Sequence, residues 1–187
     1  MTKLFLSALA LLSCAAACAQ SLDEESHYFG GFFGKSAILL GSSDIRFGGG
    51  VSYGFGRREP RFKWGPFRGQ FLLNAYADHT WPLVEKGDNP PNYSAGFLAG
   101  ARWIAANNTA NFAPYLDFGW GFQLADRTTL DLPSELNSTP WAGTGIIFPV
   151  GKYEALFGFR FVHISNAGFV RPNRGQDELF LTSEIRL

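Results

Sequence analysis

An alternation of period two, renewed in segment after segment, constrains this chain more than any other feature. From Phe71 to His79 the odd positions Phe71, Leu73, Ala75 and Ala77 are apolar, while Gln70, Asn74 and Asp78 on the even positions are polar. Successive side chains of a strand point to opposite faces, so such a segment has one greasy face and one wet face. Tyr93, Ala95, Phe97, Ala99, Ala101, Trp103 and Ala105 oppose Ser94, Gly96, Gly100 and Arg102 in the same way. Leu116, Phe118, Trp120, Phe122 and Leu124 oppose Asp117, Gly119, Gly121 and Gln123. In the last segment Leu179, Leu181, Ile185 and Leu187 share a face with Ser183 and oppose Thr182, Glu184 and Arg186.

Weaker candidates near 27–39, 45–57 and 139–149, together with 153–165, bring the total to about eight strands of the length that crosses a bilayer, about 9–11 residues. Eight strands close a small barrel. The predicted fold is all-β: an eight-stranded antiparallel transmembrane barrel of the outer-membrane type. A soluble β-sandwich alternates too, but it hides its apolar face and does not need rings near its strand ends. Trp64, Tyr93, Trp103, Trp120, Trp141 and Tyr153 fit interfacial girdles, with core packing as the competing reading for each ring. The 22 glycines and 16 % aromatic content agree with sheets and tight turns and disfavour long helices. Turn-rich segments at 80–92 and 126–138 read as long loops.

The first residues, MTKLFLSALALLSCAAACAQ, carry one positive charge, an apolar run and the small triplet Ala17-Cys18-Ala19. This predicts a secretory signal peptide over 1–19 and a single barrel domain over 20–187. Lipid attachment at Cys14 or Cys18 competes with ordinary cleavage. These are the only 2 cysteines, so ordinary cleavage leaves no disulfide, thiolate metal site or cysteine nucleophile. The balance of 16 basic against 16 acidic residues offers no footprint for nucleic acid. No metal-ligand spacing or cofactor motif is present, and none is expected.

The chemistry concentrates in Gly158–Asp177, GFRFVHISNAGFVRPNRGQD. Residues two apart on a strand point the same way at about 6–7 Å, so His163 and Ser165 are neighbours on one face. A base beside a hydroxyl is what serine needs, because serine is a poor nucleophile until its proton is taken. Tyr153, Ala155, Phe157, Phe159 and Phe161 precede the pair on odd positions, and Glu154 and Arg160 occupy even ones. The pair therefore continues the lipid-facing stripe, which points to a substrate that lives in the membrane. The same parity carried back from Leu187 places Asp177 outward and Glu178 in the lumen. A carboxylate bonded to one imidazole nitrogen fixes its tautomer, as triad logic requires. With the N-terminus periplasmic, the pair lies near the outer end of its strand.

The run Arg160-Phe161-Val162-His163-Ile164-Ser165-Asn166-Ala167-Gly168, followed by Pro172-Asn173-Arg174-Gly175, resembles the PagL family of lipid A 3-O-deacylases. The match is specific and covers about 20 residues. The resemblance implies an outer-membrane enzyme of a Gram-negative bacterium that hydrolyses the ester-linked acyl chain at position 3 of lipid A. In it Ser165 is the nucleophile, His163 the base and then the acid, and Asn173 with the N–H groups around Ala167 and Gly168 the oxyanion hole. Lipopolysaccharide is the implied substrate, and a homodimer stays open. The family has glutamate where Asp177 stands, so Asp177 and Glu178 compete for the role of triad acid.

Beside these, a strand-end histidine and a serine are commonly an interfacial residue and a turn former, and a barrel without chemistry is the alternative function. His79 and His27 read as interfacial and strand-start residues. Glu154, Arg160, Glu184 and Arg186 read as lumen ion pairs. Asp44-Ile45-Arg46 and Arg57-Arg58-Glu59 read as solvated loop charge, and the charged stretch from Arg57 to Pro66 reads as a turn that is long for the periplasmic side.

Overall fold

The computed structural model describes residues 25–84, 87, 89–105, 112–171 and 173–187. The expected signal peptide and Pro172 lie outside the described residues. The strands are β1 (Glu25–Ala37), β2 (Arg46–Trp64), β3 (Phe67–Pro82), β4 (Asn92–Ala105), β5 (Ala113–Ala125), β6 (Leu136–Ser138), β7 (Trp141–Val150), β8 (Tyr153–Ile164) and β9 (Gln176–Arg186). Each pairs antiparallel with its neighbours in the order β4-β3-β2-β1-β9-β8-β7-β5, and β4 also pairs with β5. The eight long strands thus close a ring, which removes every edge that lipid could not satisfy. The short β6 is an extra rung on the Phe122–Leu124 end of β5.

The alternation read from the sequence becomes the wall of this barrel. Phe71, Leu73, Phe97, Leu116, Phe118, Trp120, Phe122 and Leu179 are exposed on the outside, while Gln70, Asn74, Asp78, Ser94, Arg102, Asp117, Thr182 and Glu184 are buried inside. Water is available to the outer side of neither a buried arginine nor a buried aspartate, so the lumen charges pair. Arg102 bridges Asp117 at 2.7 Å and Glu184 at 3.6 Å, and its guanidinium lies over Tyr115 and Tyr28. Arg160 reaches Glu184 at 3.4 Å, whereas the 2.6 Å pair of Arg186 with Glu154 is half-exposed rather than buried in the lumen.

Three expectations change. Residues 57–66 are not a long turn: β2 and β3 continue as a hairpin to Gly65, with a register shift between Arg58 and Lys63. Trp141 is not an interfacial ring, because it pairs with the lumen-facing Val162 and lies buried beneath Arg160. Asp44 and Arg46 are not solvated but form a buried 3.0 Å ion pair. Arg46 also donates to Asn89, Asn92, Thr80 and the Pro90 carbonyl, closing the lumen at the loop end. That end carries the longer connections, 38–45, 83–91, 126–140 and 165–175, the asymmetry by which outer-membrane barrels mark their extracellular side.

Candidate active site

β8 and β9 run in unbroken register from Glu154↔Arg186 to Ile164↔Gln176, with His163 directly opposite Asp177. No bulge interrupts the parity, so both side chains leave the barrel on the outer face, in a row with Ala37 of β1. Directly opposed residues of an antiparallel pair have Cβ atoms about 4.5–5.5 Å apart, a gap that an aspartate spans without glutamate's extra methylene. Asp177 Oδ1 lies 2.7 Å from His163 Nδ1. That contact leaves Nε2 as the other ring nitrogen, and the imidazole is about one-fifth exposed while the carboxylate is fully buried.

The extended conformation persists past the end of β8. Ser138 and Ser165 exchange backbone hydrogen bonds of 2.7 and 3.0 Å, and the His163 N–H donates to the Pro140 carbonyl. Ser165 therefore keeps the strand's parity and projects with His163, half-buried. Its hydroxyl makes no hydrogen bond with any described residue, and catalytic hydrogen bonds commonly close only when substrate arrives.

Beyond Ser165 the chain turns sharply. Ala167 and Gly168 adopt positive φ of 54° and 83°. The buried Asn166 builds this turn: its Oδ1 accepts from the Gly168 N–H at 2.9 Å, its Nδ2 donates to the Val170 carbonyl, and its own N–H donates to Asn173 Oδ1 at 3.4 Å. The Gly168 N–H is thus engaged. The Ala167 N–H and Asn173 Nδ2 make no hydrogen bond with a described residue. Glu178 points into the lumen, where Ser36 Oγ and Gln176 Nε2 donate to its Oε1. It is remote in direction from the imidazole that Asp177 holds.

Several participants had no role assigned from the sequence, although the first of them, Gly175, stands in its Pro172–Gly175 motif. Gly175, at φ 70°, packs against the imidazole so closely that an added Cβ would meet His163 Cε1 at 2.7 Å. The second oxygen of Asp177 accepts the backbone N–H groups of Leu39 at 3.2 Å and Leu40 at 2.7 Å. Backbone donors have no residue preference, so only the β1–β9 pairing could have revealed them. His79, by contrast, stacks on Tyr93 at 4.2 Å far from this cluster in the register, and His27 bonds Tyr53 at the opposite end.

Comparison with solved structures gives the same wall in other proteins. The crystal structure of the outer membrane enzyme PagL aligns with a TM-score of 0.63 at 22 % identity, covering 84 % of this chain and 97 % of that one. Neisserial surface protein A aligns at 0.55 and 16 % identity, covering 90 % and 99 %. Ail, the attachment invasion locus protein of Yersinia pestis, aligns at 0.52 and 9 % identity, covering 89 % and 100 %. At these identities the likeness is one of fold. Comparison with curated protein sequences finds no match. The family model described as Lipid A 3-O-deacylase (PagL) matches residues 46–186, most of the chain and every residue of the His163–Ser165–Asp177 cluster, and the chain belongs to that family.

Proposed function

We propose that this protein hydrolyses the ester-linked acyl chain at position 3 of lipid A, with Ser165 as nucleophile, His163 as base and Asp177 as the acid of the triad. The observation that carries the reading is the 2.7 Å contact between His163 Nδ1 and Asp177 Oδ1 on the lipid-facing wall, two residues from a serine on the same face. Ser165 Oγ adds to the ester carbonyl carbon as its proton passes to His163 Nε2. Asp177 fixes the tautomer that presents Nε2 and steadies the imidazolium that forms. The carbonyl oxygen, now an oxyanion, is met by the Ala167 N–H and Asn173 Nδ2. Collapse of the intermediate expels the sugar hydroxyl, which takes the proton back from the imidazolium. Water then attacks the acyl-serine by the reverse sequence, with His163 again the base, and releases a fatty acid.

The outward direction of the pair selects the substrate class. A soluble ester would have to enter the bilayer to reach Ser165, whereas lipid A already lies in the outer leaflet at the loop end. The protein accordingly resides in the outer membrane of a Gram-negative bacterium, residues 1–19 serving as its export signal. The test is mass spectrometry of lipid A from cells expressing the chain and its Ser165→Ala variant. Loss of one ester-linked acyl chain with the parent alone is expected; identical acylation patterns would reduce the protein to a barrel without this chemistry. Fatty acid release from phospholipid vesicles free of lipopolysaccharide would redirect the reading to a phospholipase.

A further inference from the structure

Asp177 presents a contradiction of position and exposure. It stands in the outward row with Ala37 and His163, yet it has no exposed surface. The cover is the connection after β1, which folds over the outer wall and gives the carboxylate its Leu39 and Leu40 N–H groups. Gly41, at φ 108°, bends this cover back so tightly that a Cβ would lie 3.3 Å from the Arg174 carbonyl. Asp131 then clamps the far side, accepting from the Ser43 and Asp44 N–H groups at 2.5 and 2.6 Å.

With its N–H groups turned to the carboxylate, the cover leaves three consecutive apolar side chains exposed. Ile38, Leu39 and Leu40 are 63, 66 and 63 % exposed. A water-facing loop has no use for three such residues, and desolvating them against hydrocarbon is favourable. Phe169 and Val170, on the loop that follows Ser165, add further exposed apolar surface beside the same cluster.

We infer that the Ile38–Gly41 turn is both the positioning element of the triad acid and the surface on which an acyl chain of the lipid substrate lies. Two backbone donors hold one oxygen of Asp177 so that the other meets His163. The side chains of the same residues grip the substrate, so acyl binding and acid alignment share one turn. The family match begins at residue 46, which leaves this turn outside the shared segment. The inference rests on the triad reading above.

Two variants separate the halves of the turn, assayed on the full protein in detergent micelles with lipid A and with p-nitrophenyl palmitate and butyrate. Leu39→Ser/Leu40→Ser keeps both amides and removes the grip; it is expected to raise KM for lipid A and palmitate about tenfold with kcat changed less than about twofold, and to have a smaller effect on butyrate. Leu40→Pro removes the closer donor; kcat is expected to fall about ten- to a hundredfold on both esters with KM nearly constant. An unchanged KM in the first variant, or an unchanged kcat in the second, overturns the inference. Because proline can disturb the loop, amide hydrogen exchange of Asp177→Ala supplies an independent arm. Faster exchange at Leu39 and Leu40 with protected strand amides supports the contact, and unaltered exchange there refutes it. Absence of any hydrolysis by the parent would sink the triad reading instead, and the exchange result would still judge the contact.

Discussion

Gly175 shows how much of the site depends on a missing methyl group. Its left-handed φ of 70° costs an L side chain about 1–2 kcal/mol, and a Cβ would also press into the His163 ring. Gly175→Ala should therefore leave a folded barrel with deacylation lowered at least about a hundredfold, since a displacement of about 1 Å at a catalytic group has that effect. Heat-modifiable gel migration would confirm folding, and parental activity in Gly175→Ala would mean that the imidazole has room the structure denies it. The two candidate acids divide just as sharply. Asp177→Ala removes the imidazole's anchor and should cost about 10⁴ in kcat. Glu178→Ala changes only a lumen carboxylate bonded to Ser36 and Gln176, and should keep kcat within about threefold. Rates of fatty acid release from lipid A by the two variants decide this, and the reverse ranking would put the wrong carboxylate in the triad.

At the scale of elements, the strands and the loops carry different kinds of information. A strand's face is written in its own parity, so the outward direction of His163, Ser165 and Asp177 was legible from Phe157, Phe159 and Phe161 on one side and Leu179 on the other. Parity also failed instructively at Trp141, where a single ring at a strand start gave no alternation to read. The loops were illegible because their partners are remote in sequence. Asp131 meets Ser42, Ser43 and Asp44 across more than 85 positions, and Arg46 meets Asn89, Pro90 and Asn92 across more than 40. Charges thus engaged look, in one dimension, like any solvated Asp-Ile-Arg. The Asp131 clamp yields its own test. Asp131→Ala leaves the buried Asp44 N–H and the part-buried Ser43 N–H without this acceptor, a loss of about 1–3 kcal/mol locally. The connection after β1 should loosen and the Leu39 and Leu40 donors with it. Deacylation should fall about tenfold while urea unfolding of the barrel itself shifts little, and unchanged activity would show that the connection keeps its shape without this clamp.

The whole molecule turns Phe, Leu and Trp to hydrocarbon outside and packs a mixed interior, in which a charged network lies among buried apolar side chains such as Leu72, Leu98, Leu156 and Phe180. Closure by β1–β9 places the two terminal strands side by side, and the site is built on that seam: Ala37 from the first strand, Asp177 from the last, His163 from its neighbour. The rigidity of the seam then depends on the lumen behind it. Arg102, Asp117, Glu184 and Arg160 join β4, β5, β9 and β8 through the interior, and each of these side chains is almost fully removed from solvent. Taking such charges out of water is costly, and breaking one pair strands its partner, a penalty of about 3–5 kcal/mol. Arg102→Leu leaves Asp117 without its only ion-pair partner among the described residues and should lower unfolding free energy by about that amount in urea titrations of the refolded barrel. Arg102→Leu/Asp117→Leu removes both ends and should recover most of the loss, because the pair repays its desolvation only in part. If the double variant is instead less stable than Arg102→Leu, the network contributes net stability beyond pairing. On the lipid side the sign reverses: Phe159→Arg, at an exposed outward position midway along β8, should cost about 2–4 kcal/mol in the same titration, whereas a barrel wall facing water would tolerate it.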